Sequence, residues 1–301
     1  TVMFLYNSPH LFGGILIWRE NISLKLCINY CRMSTAPDPV AAVCQMTATP
    51  DKEANLSVCK NLVEEAKQKG ASMVFLPEGF DYIGSNREET LSLAESLEGE
   101  TISSLAQIAR KLEIWLSLGG FHEQGPNWKT DRRIITSIIY YICDISSFLR
   151  DIVSVYRKAH LFDVELPEKG VSLKESWIGH CYDLRFPELS LALQRQGAEI
   201  LTYPSAFTVA TGAAHWEVLN TQDSVYVLAA AQVGPHHDKR SSYGHALAVD
   251  PWGVVLGDCG GEQPGLIMVD INLEKLRNTR RNMPVQEHRR KTDFYHSLEK
   301  T

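Results

Sequence analysis

The sequence contains no CxxC pair, and its seven cysteines (Cys27, Cys31, Cys44, Cys59, Cys143, Cys181 and Cys259) follow no regular spacing. An odd number of scattered thiols fits free cysteines in a reducing compartment better than a disulfide framework. No quartet of Cys and His has the spacing of a structural zinc site, so no metal is expected. A long basic run is also lacking, and the net charge of −6 argues against a nucleic-acid partner. Apolar runs stop well short of the roughly 20 residues that a membrane-spanning helix needs, so no membrane partner is expected. The glycine pairs Gly119-Gly120 and Gly260-Gly261 lie in neither a GxGxxG nor a GxxxxGK context. They read as turns, not phosphate cradles, and no cofactor is expected. Neither a Gly/Ser-rich linker nor a short repeat divides the chain, which therefore reads as one domain.

What remains is the composition of an ordinary globular protein, 44% hydrophobic, 22% charged and 9% aromatic. The first 32 residues stand apart. They hold two apolar patches, at 2–6 and 11–18, and carry Arg19, Lys25 and Arg32 against Glu20. That pattern is weakly like a mitochondrial presequence, though poor in arginine and serine. Residues 1–38 are read as an extension, unstructured or a weak targeting segment, and residues 39–301 as the globular domain. A cytoplasmic location is expected, with a mitochondrial one as the alternative.

From residue 40 onwards, strand and helix signals alternate. Residues 40–46 form a short apolar run suited to a buried strand. Asp51 or its neighbour can cap a helix whose Leu56, Cys59, Leu62, Val63 and Ala66 keep helical spacing, with Lys67, Lys69 and Gly70 at its end. A second strand is expected at 73–78, a helix at 102–112 and a strand at 114–118. Residues 132–155 are apolar and β-rich, with a break at 144–147. A helix starts around Pro187 and ends at Gly197, and strands follow at 199–203 and 226–233. The turn Asp250-Pro-Trp-Gly253 joins a hairpin, a strand follows at 266–270, and a last helix spans 273–281. Strand–helix–strand recurring in both halves predicts an α/β fold of two packed sheets with helices outside.

Three polar residues stand at the ends of apolar strands: Glu78, Lys158 and Cys181. Side chains at strand ends emerge at the rim where α/β folds place their sites. Cys181 precedes a helix start, where oriented N–H groups and the dipole favour a thiolate. A cysteine hydrolase also needs a group that takes the thiol proton and a pocket for a tetrahedral oxyanion. Glu78 can serve as the base and Lys158 as the oxyanion partner. Histidine offers a rival base. His180 adjoins Cys181 but should point to the opposite face of a strand, whereas His160 and His215 stay open as partners of a protease-type Cys–His arrangement. His236-His237-Asp238 has no third ligand at a helical or hairpin spacing, and reads as a solvated loop.

Taken together the motifs are specific. Phe75-Leu-Pro-Glu-Gly79, Tyr156-Arg-Lys-Ala-His-Leu-Phe-Asp163 and Cys181-Tyr-Asp-Leu-Arg-Phe-Pro-Glu188 occur in this order. With Tyr203-Pro-Ser-Ala-Phe207, Thr211-Gly-Ala-Ala-His-Trp-Glu217 and Asp250-Pro-Trp-Gly253, they resemble the carbon–nitrogen hydrolase, or nitrilase, superfamily. Ser117-Leu-Gly-Gly-Phe-His-Glu123, Ala229-Ala-Ala-Gln232 and His236-His-Asp-Lys-Arg-Ser-Ser-Tyr-Gly244 resemble its branch of amidases for deaminated glutathione, with the branch acting on α-ketoglutaramate as runner-up.

The resemblance implies a four-layer α-β-β-α sandwich with Cys181 as nucleophile, Glu78 as general base and Lys158 on the oxyanion. It also implies a supporting role for Glu175 and for the backbone N–H of Tyr182, and a small-molecule amide cleaved through a thioester. Arg185 is a candidate clamp for a substrate carboxylate, because a guanidinium binds that group bidentately. A homo-oligomer is the family's usual state. Only five residues, Ser176 to His180, separate Glu175 from Cys181. The strand that delivers the cysteine is therefore expected to be truncated. The competing reading is a catalytically impaired relative with a scaffolding or interaction role.

Overall fold

Strand β3 (Val40–Met46) shows why its sequence is an unbroken apolar run: residues 41–46 are all buried, so both faces of the strand are covered. The fold is that of a computed structural model, which describes residues 38–124, 182–220, 224–290 and 294. For Tyr182 and for six strands outside those stretches it describes the backbone. Two of these, β1 (Leu5–Ser8) and β2 (Leu11–Ile15), form a hairpin of their own.

After β3 come α1 (Lys52–Gln68), β4 (Met73–Phe75), α2 (Arg87–Ser92), α3 (Glu100–Leu112), β5 (Trp115–Ser117) and β6 (Phe121–His122). Asp51 caps α1, its carboxylate accepting from the Ala54 N–H at 3.0 Å. The backbone strands β7 (Ile135–Tyr140), β8 (Ile152–Arg157), β9 (Asp163–Leu166) and β10 (Val171–Lys174) follow. A 3-10 turn (Tyr182–Arg185) leads into α4 (Pro187–Arg195), then β11 (Ile200–Thr202), α5 (Val209–Asn220), β12 (Tyr226–Ala229) and β13 (Ala231–His237). The chain continues through β14 (Arg240–Tyr243), β15 (Leu247–Val249), β16 (Val255–Asp258), β17 (Gly265–Asp270), α6 (Leu273–Asn282) and α7 (Val285–His288).

One sheet runs β14-β13-β3-β4-β5-β7-β6, with β17 also on β3 and β8 on β7; a second runs β11-β12-β15-β16, and β9 and β10 pair antiparallel by themselves. The parallel core of the first sheet is in register at Ala42, Val74 and Leu116. Alternation along its strands splits the hydrophobic core in two. Ala42, Cys44, Met46, Val74 and Leu116 face α1 and α3, meeting Cys59, Leu62, Val63, Ile102 and Leu105. Ala41, Val43, Met73 and Phe75 point the other way, into a cluster that holds the second sheet, with Leu193 of α4 and Trp216 of α5. The order is helices, sheet, sheet, helices: the four-layer α-β-β-α sandwich. The apolar stretch 226–233, expected as one strand, is two. β12 pairs in the second sheet and β13 in the first, with Ala230 alone between them. Both strands are buried on both faces here, so hydrophobicity carries no mark of the switch.

Gly119 is needed where β5 ends. Its φ of 64° is left-handed, and a Cβ there would run into the Leu76 and Pro77 carbonyls. Gly253 also has a left-handed φ, 90°, but nothing lies within 4 Å of where a Cβ would stand. Gly253→Ala should therefore cost about 1 kcal/mol of unfolding free energy, the backbone penalty alone. Gly119→Ala should cost about 3 kcal/mol, since a steric clash is added; urea unfolding of the two variants measures both.

His236 is buried on β13, with Nδ1 2.7 Å from the Ala48 carbonyl and Nε2 2.7 Å from Ser242 Oγ. It is not part of a solvated loop. Burial pushes its pKa down to about 4, helped by the positive charge of Arg240. The unfolded chain takes up this proton near pH 6.5, so the native state has its full advantage above that pH. Acidification from about pH 6.5 to 4 should remove roughly 2–3 kcal/mol of stability through His236. The variant His236→Gln should flatten that part of the stability–pH curve; an unchanged slope would assign it elsewhere.

Candidate active site

Strand β4 stops at Phe75 because Pro77 has no N–H to continue the ladder. The chain nevertheless stays pinned to its neighbour. Leu76 N–H donates to the Ser117 carbonyl at 2.9 Å, Gly79 N–H donates to the Gly120 carbonyl at 2.8 Å, and Glu78 bridges Gly120. Gly79 turns the chain with φ 65°. Glu78 is thus held at the rim of the first sheet, 3% exposed.

The carbonyls of Glu78 and Gly79 are satisfied by one side chain. Gln232, itself buried on β13, donates its Nε2 to them at 3.0 and 3.2 Å while its Oε1 accepts from the Ala48 N–H at 2.9 Å. Just beyond, Asp81 locks the loop to β6. His122 N–H donates to Asp81 Oδ2 at 3.0 Å, and His122 Nδ1 stands 2.9 Å from Asp81 Oδ1, the geometry of an N–H donating to a carboxylate. Tyr82 stacks on the His122 ring, centroids 4.2 Å apart, and donates its hydroxyl to the Thr90 carbonyl at 2.5 Å. Lys52 lies 5.7 Å from the centre of the Tyr82 ring and pairs with Glu95. Burial would raise the Glu95 carboxyl, but Lys52 and the Thr101 donors outweigh it and hold the group below its usual range.

The second part of the site begins directly after Cys181. Tyr182 opens the 3-10 turn, Asp183 and Leu184 are buried within it, and Arg185 ends it half-buried. Pro187 then starts α4, where its missing N–H costs nothing. The Arg185 guanidinium sits 5.3 Å from the centre of the Phe207 ring, and its Nη1 lies 3.1 Å from His215 Nδ1 on α5. Phe207 is tied back to Tyr243, whose N–H donates to its carbonyl at 2.9 Å. Gln232 joins the two parts of the site. While its side chain holds the Glu78 loop, its own N–H donates to the Ser205 carbonyl at 2.9 Å, two residues before Phe207.

Of the residues singled out in the sequence, Glu78 lies on a loop held by Gln232, which is also bonded to the segment that leads to Phe207 beneath Arg185, and Tyr182 is placed by its backbone. Lys158, Glu175, Cys181 and the alternative base His160 lie outside the described residues. So do Ser176 to His180, where the truncated strand is expected. β8 and β10 end at Arg157 and Lys174, each one residue before a candidate, Lys158 and Glu175. Among the described residues, no three His, Cys, Asp or Glu side chains gather in a metal-holding cluster, and no helix is long and apolar enough to cross a membrane. Sequence reasoning missed the role of Gln232, the Asp81–His122 pair and the Arg185–His215 contact. Each joins residues far apart in the chain: His122 and Gln232 fall within the motifs 117–123 and 229–232, and Arg185 and His215 stood out singly, but nothing in the sequence pairs them.

Comparison with known proteins accounts for the same segments. The model of the carbon–nitrogen hydrolase family matches residues 40–281. Over 284 residues the chain is 48% identical to deaminated glutathione amidase of Homo sapiens, covering 86% of this chain and 84% of that protein. It is 41% identical to a nitrilase and fragile histidine triad fusion protein of Caenorhabditis elegans. A crystal structure of the C. elegans NitFhit protein superposes with a TM-score of 0.73 at 39% identity, over 84% of this chain and 65% of that one. Saccharomyces cerevisiae Nit3, a member of branch 10 of the nitrilase superfamily, does so with a TM-score of 0.70 at 27% identity, over 85% and 98%. The family model spans β3 to α6, and the chain belongs to the carbon–nitrogen hydrolase family, as a hydrolase of carbon–nitrogen bonds.

Proposed function

We propose that the protein is a cysteine-dependent amidase that hydrolyses a small carboxylate-bearing amide, deaminated glutathione being the favoured substrate. The observation that carries this reading is the placement of Glu78, a buried carboxylate fixed at a sheet rim and linked through Gln232 to the segment beneath Arg185. A general base needs such a position, sheltered from water and held by its backbone. The relatives named as deaminated glutathione amidases support the choice of substrate.

In this reading Glu78 takes the proton of the Cys181 thiol as Sγ attacks the amide carbonyl carbon. The oxyanion that forms is held by Lys158 and the Tyr182 N–H, with Glu175 in support. Collapse of the tetrahedral intermediate breaks the C–N bond. The leaving amine departs with the proton held by Glu78, and the acyl group remains on Cys181 as a thioester. Water then loses a proton to Glu78 and adds to the thioester, which releases the carboxylic acid and restores the thiol. Arg185 holds a substrate carboxylate through the reaction.

Release of α-ketoglutarate from deaminated glutathione by the purified protein tests the reading. Cys181→Ala and Glu78→Gln should each lower kcat by about 10³-fold or more, with folding intact. Turnover that survives Cys181→Ala would remove the nucleophile, and a folded but inactive wild type would remove the enzyme reading in favour of a scaffolding role. Faster release of ammonia from α-ketoglutaramate would shift the substrate to the runner-up. Arg185→Leu should raise KM roughly 10- to 100-fold, the worth of a charged bidentate contact, with a smaller change in kcat.

A further inference from the structure

The contact between Arg185 and His215 has a direction that chemistry fixes. A guanidinium carries only donors and keeps its charge in proteins. At 3.1 Å from Arg185 Nη1, His215 Nδ1 must therefore be the acceptor, which places the imidazole in its neutral form with the proton on Nε2. The ring offers its lone pair to the cation. On a second side the guanidinium rides over the face of Phe207, with 5.3 Å to its centre. That ring is in turn braced by Trp216, centroids 5.0 Å apart and planes at 59°. Trp216 is buried and donates Nε1–H to the His245 carbonyl at 2.7 Å, so the brace is anchored in the core. His215 and Trp216 are neighbours in sequence, and α5 thus supplies both the acceptor and the backing ring. Gly212 allows the helix to lie this close, since a Cβ there would enter the Tyr243 ring.

Arginine is long and flexible, and binding a carboxylate through it normally costs the ordering of its side chain. A guanidinium already fixed on two sides has lost that freedom before the ligand arrives. We propose that His215 is a positioning residue that pre-orients Arg185 to clamp the substrate carboxylate. The proposal rests on the reading of Arg185 as the clamp and assigns His215 no contact with the reacting atoms. It gives the exposed histidine of the His-Trp-Glu motif a task in substrate selection, distinct from the rival role of general base.

A double-mutant cycle with deaminated glutathione as substrate tests it, using His215→Leu, His215→Gln, Arg185→Leu and the double variant Arg185→Leu/His215→Leu. His215→Leu should raise KM roughly 5- to 30-fold, a smaller loss than that of the clamp itself, with kcat within about threefold of wild type. His215→Gln, whose side-chain oxygen can accept from the guanidinium, should recover most of the loss. In the Arg185→Leu background, His215→Leu should add nothing further. Circular dichroism melts of each variant check that the fold is retained. An unchanged KM in His215→Leu, or equal effects with and without Arg185, would overturn the inference while leaving the clamp standing. A collapse of kcat that glutamine does not rescue would overturn it in favour of a histidine base. If Arg185→Leu itself leaves KM unchanged, or the folded wild type has no turnover, the clamp falls and the inference falls with it.

Discussion

Where a strand leaves a buried sheet, its N–H and C=O groups lose their ladder partners but remain away from water, and each must find another partner. Two buried glutamines meet that demand here. Gln232 accepts from Ala48 and donates to Glu78 and Gly79. Gln45 accepts from Ala246 at 2.8 Å and donates to Gly260 and Gln263 at 2.8 and 2.7 Å. Each uses its carbonyl and both protons of its amide. Leucine would fill the same volume and leave three backbone groups unsatisfied, at a cost of about 1–3 kcal/mol apiece. The first glutamine holds the loop that carries Glu78, and the second ties β3 to the turns that flank the second sheet. Without them the two sheets would still be apolar, but the rim between them would have no defined shape.

The surroundings of Glu78 follow the same logic with charges added. Asp81, His122, Tyr82, Lys52 and Glu95 form a chain of contacts that links the loop to α1, to β6 and to the segment before α3. Asn55 joins it from α1, its Nδ2 donating to the Asp81 carbonyl at 2.9 Å and to the Thr49 carbonyl at 2.7 Å. Most of these groups are buried or nearly so, and a carboxylate placed there is stable only because donors are already aimed at it. The loop is therefore set by its partners before any substrate is bound. That is what the role proposed for Glu78 would require, since proton transfer must occur at one fixed distance.

Much of this was legible in the sequence where one physical signal dominates. β3 appears at residues 40–46 because burial on both faces leaves no polar interruption, and α1 appears from its Asp51 cap and the spacing of Cys59, Leu62, Val63 and Ala66. The Asp250 turn was equally plain: its carboxylate accepts from the Trp252 and Val254 N–H groups, at 2.8 and 2.9 Å, between β15 and β16. Other features left no such trace. β6 is two residues long, too short for any period, and α2 has a single buried residue, Thr90. Glu78 reads as a strand-end carboxylate, yet the residues that hold its loop lie 3, 44 and 154 positions away at Asp81, His122 and Gln232. The contact of His215 Nδ1 with Arg185, 30 residues distant, leaves no periodic trace either. Hydrophobic period reports burial of an element. It does not report which distant polar groups share a corner of the fold.

The passage of the chain from β12 to β13 through Ala230 alone has a consequence for how the molecule comes apart. A single residue cannot let one sheet slide or peel while the other stays whole, because the two strands would drag each other out of register. Ala230 also accepts from the Ser205 N–H at 2.9 Å, so the crossing point is itself bonded to the segment that leads to Phe207. Amides in the two layers should then share one opening event and exchange with solvent as one cooperative unit. Glu78 and Arg185 draw on both layers, so on this argument the rim at Glu78 and the seat of Arg185 should persist or vanish together.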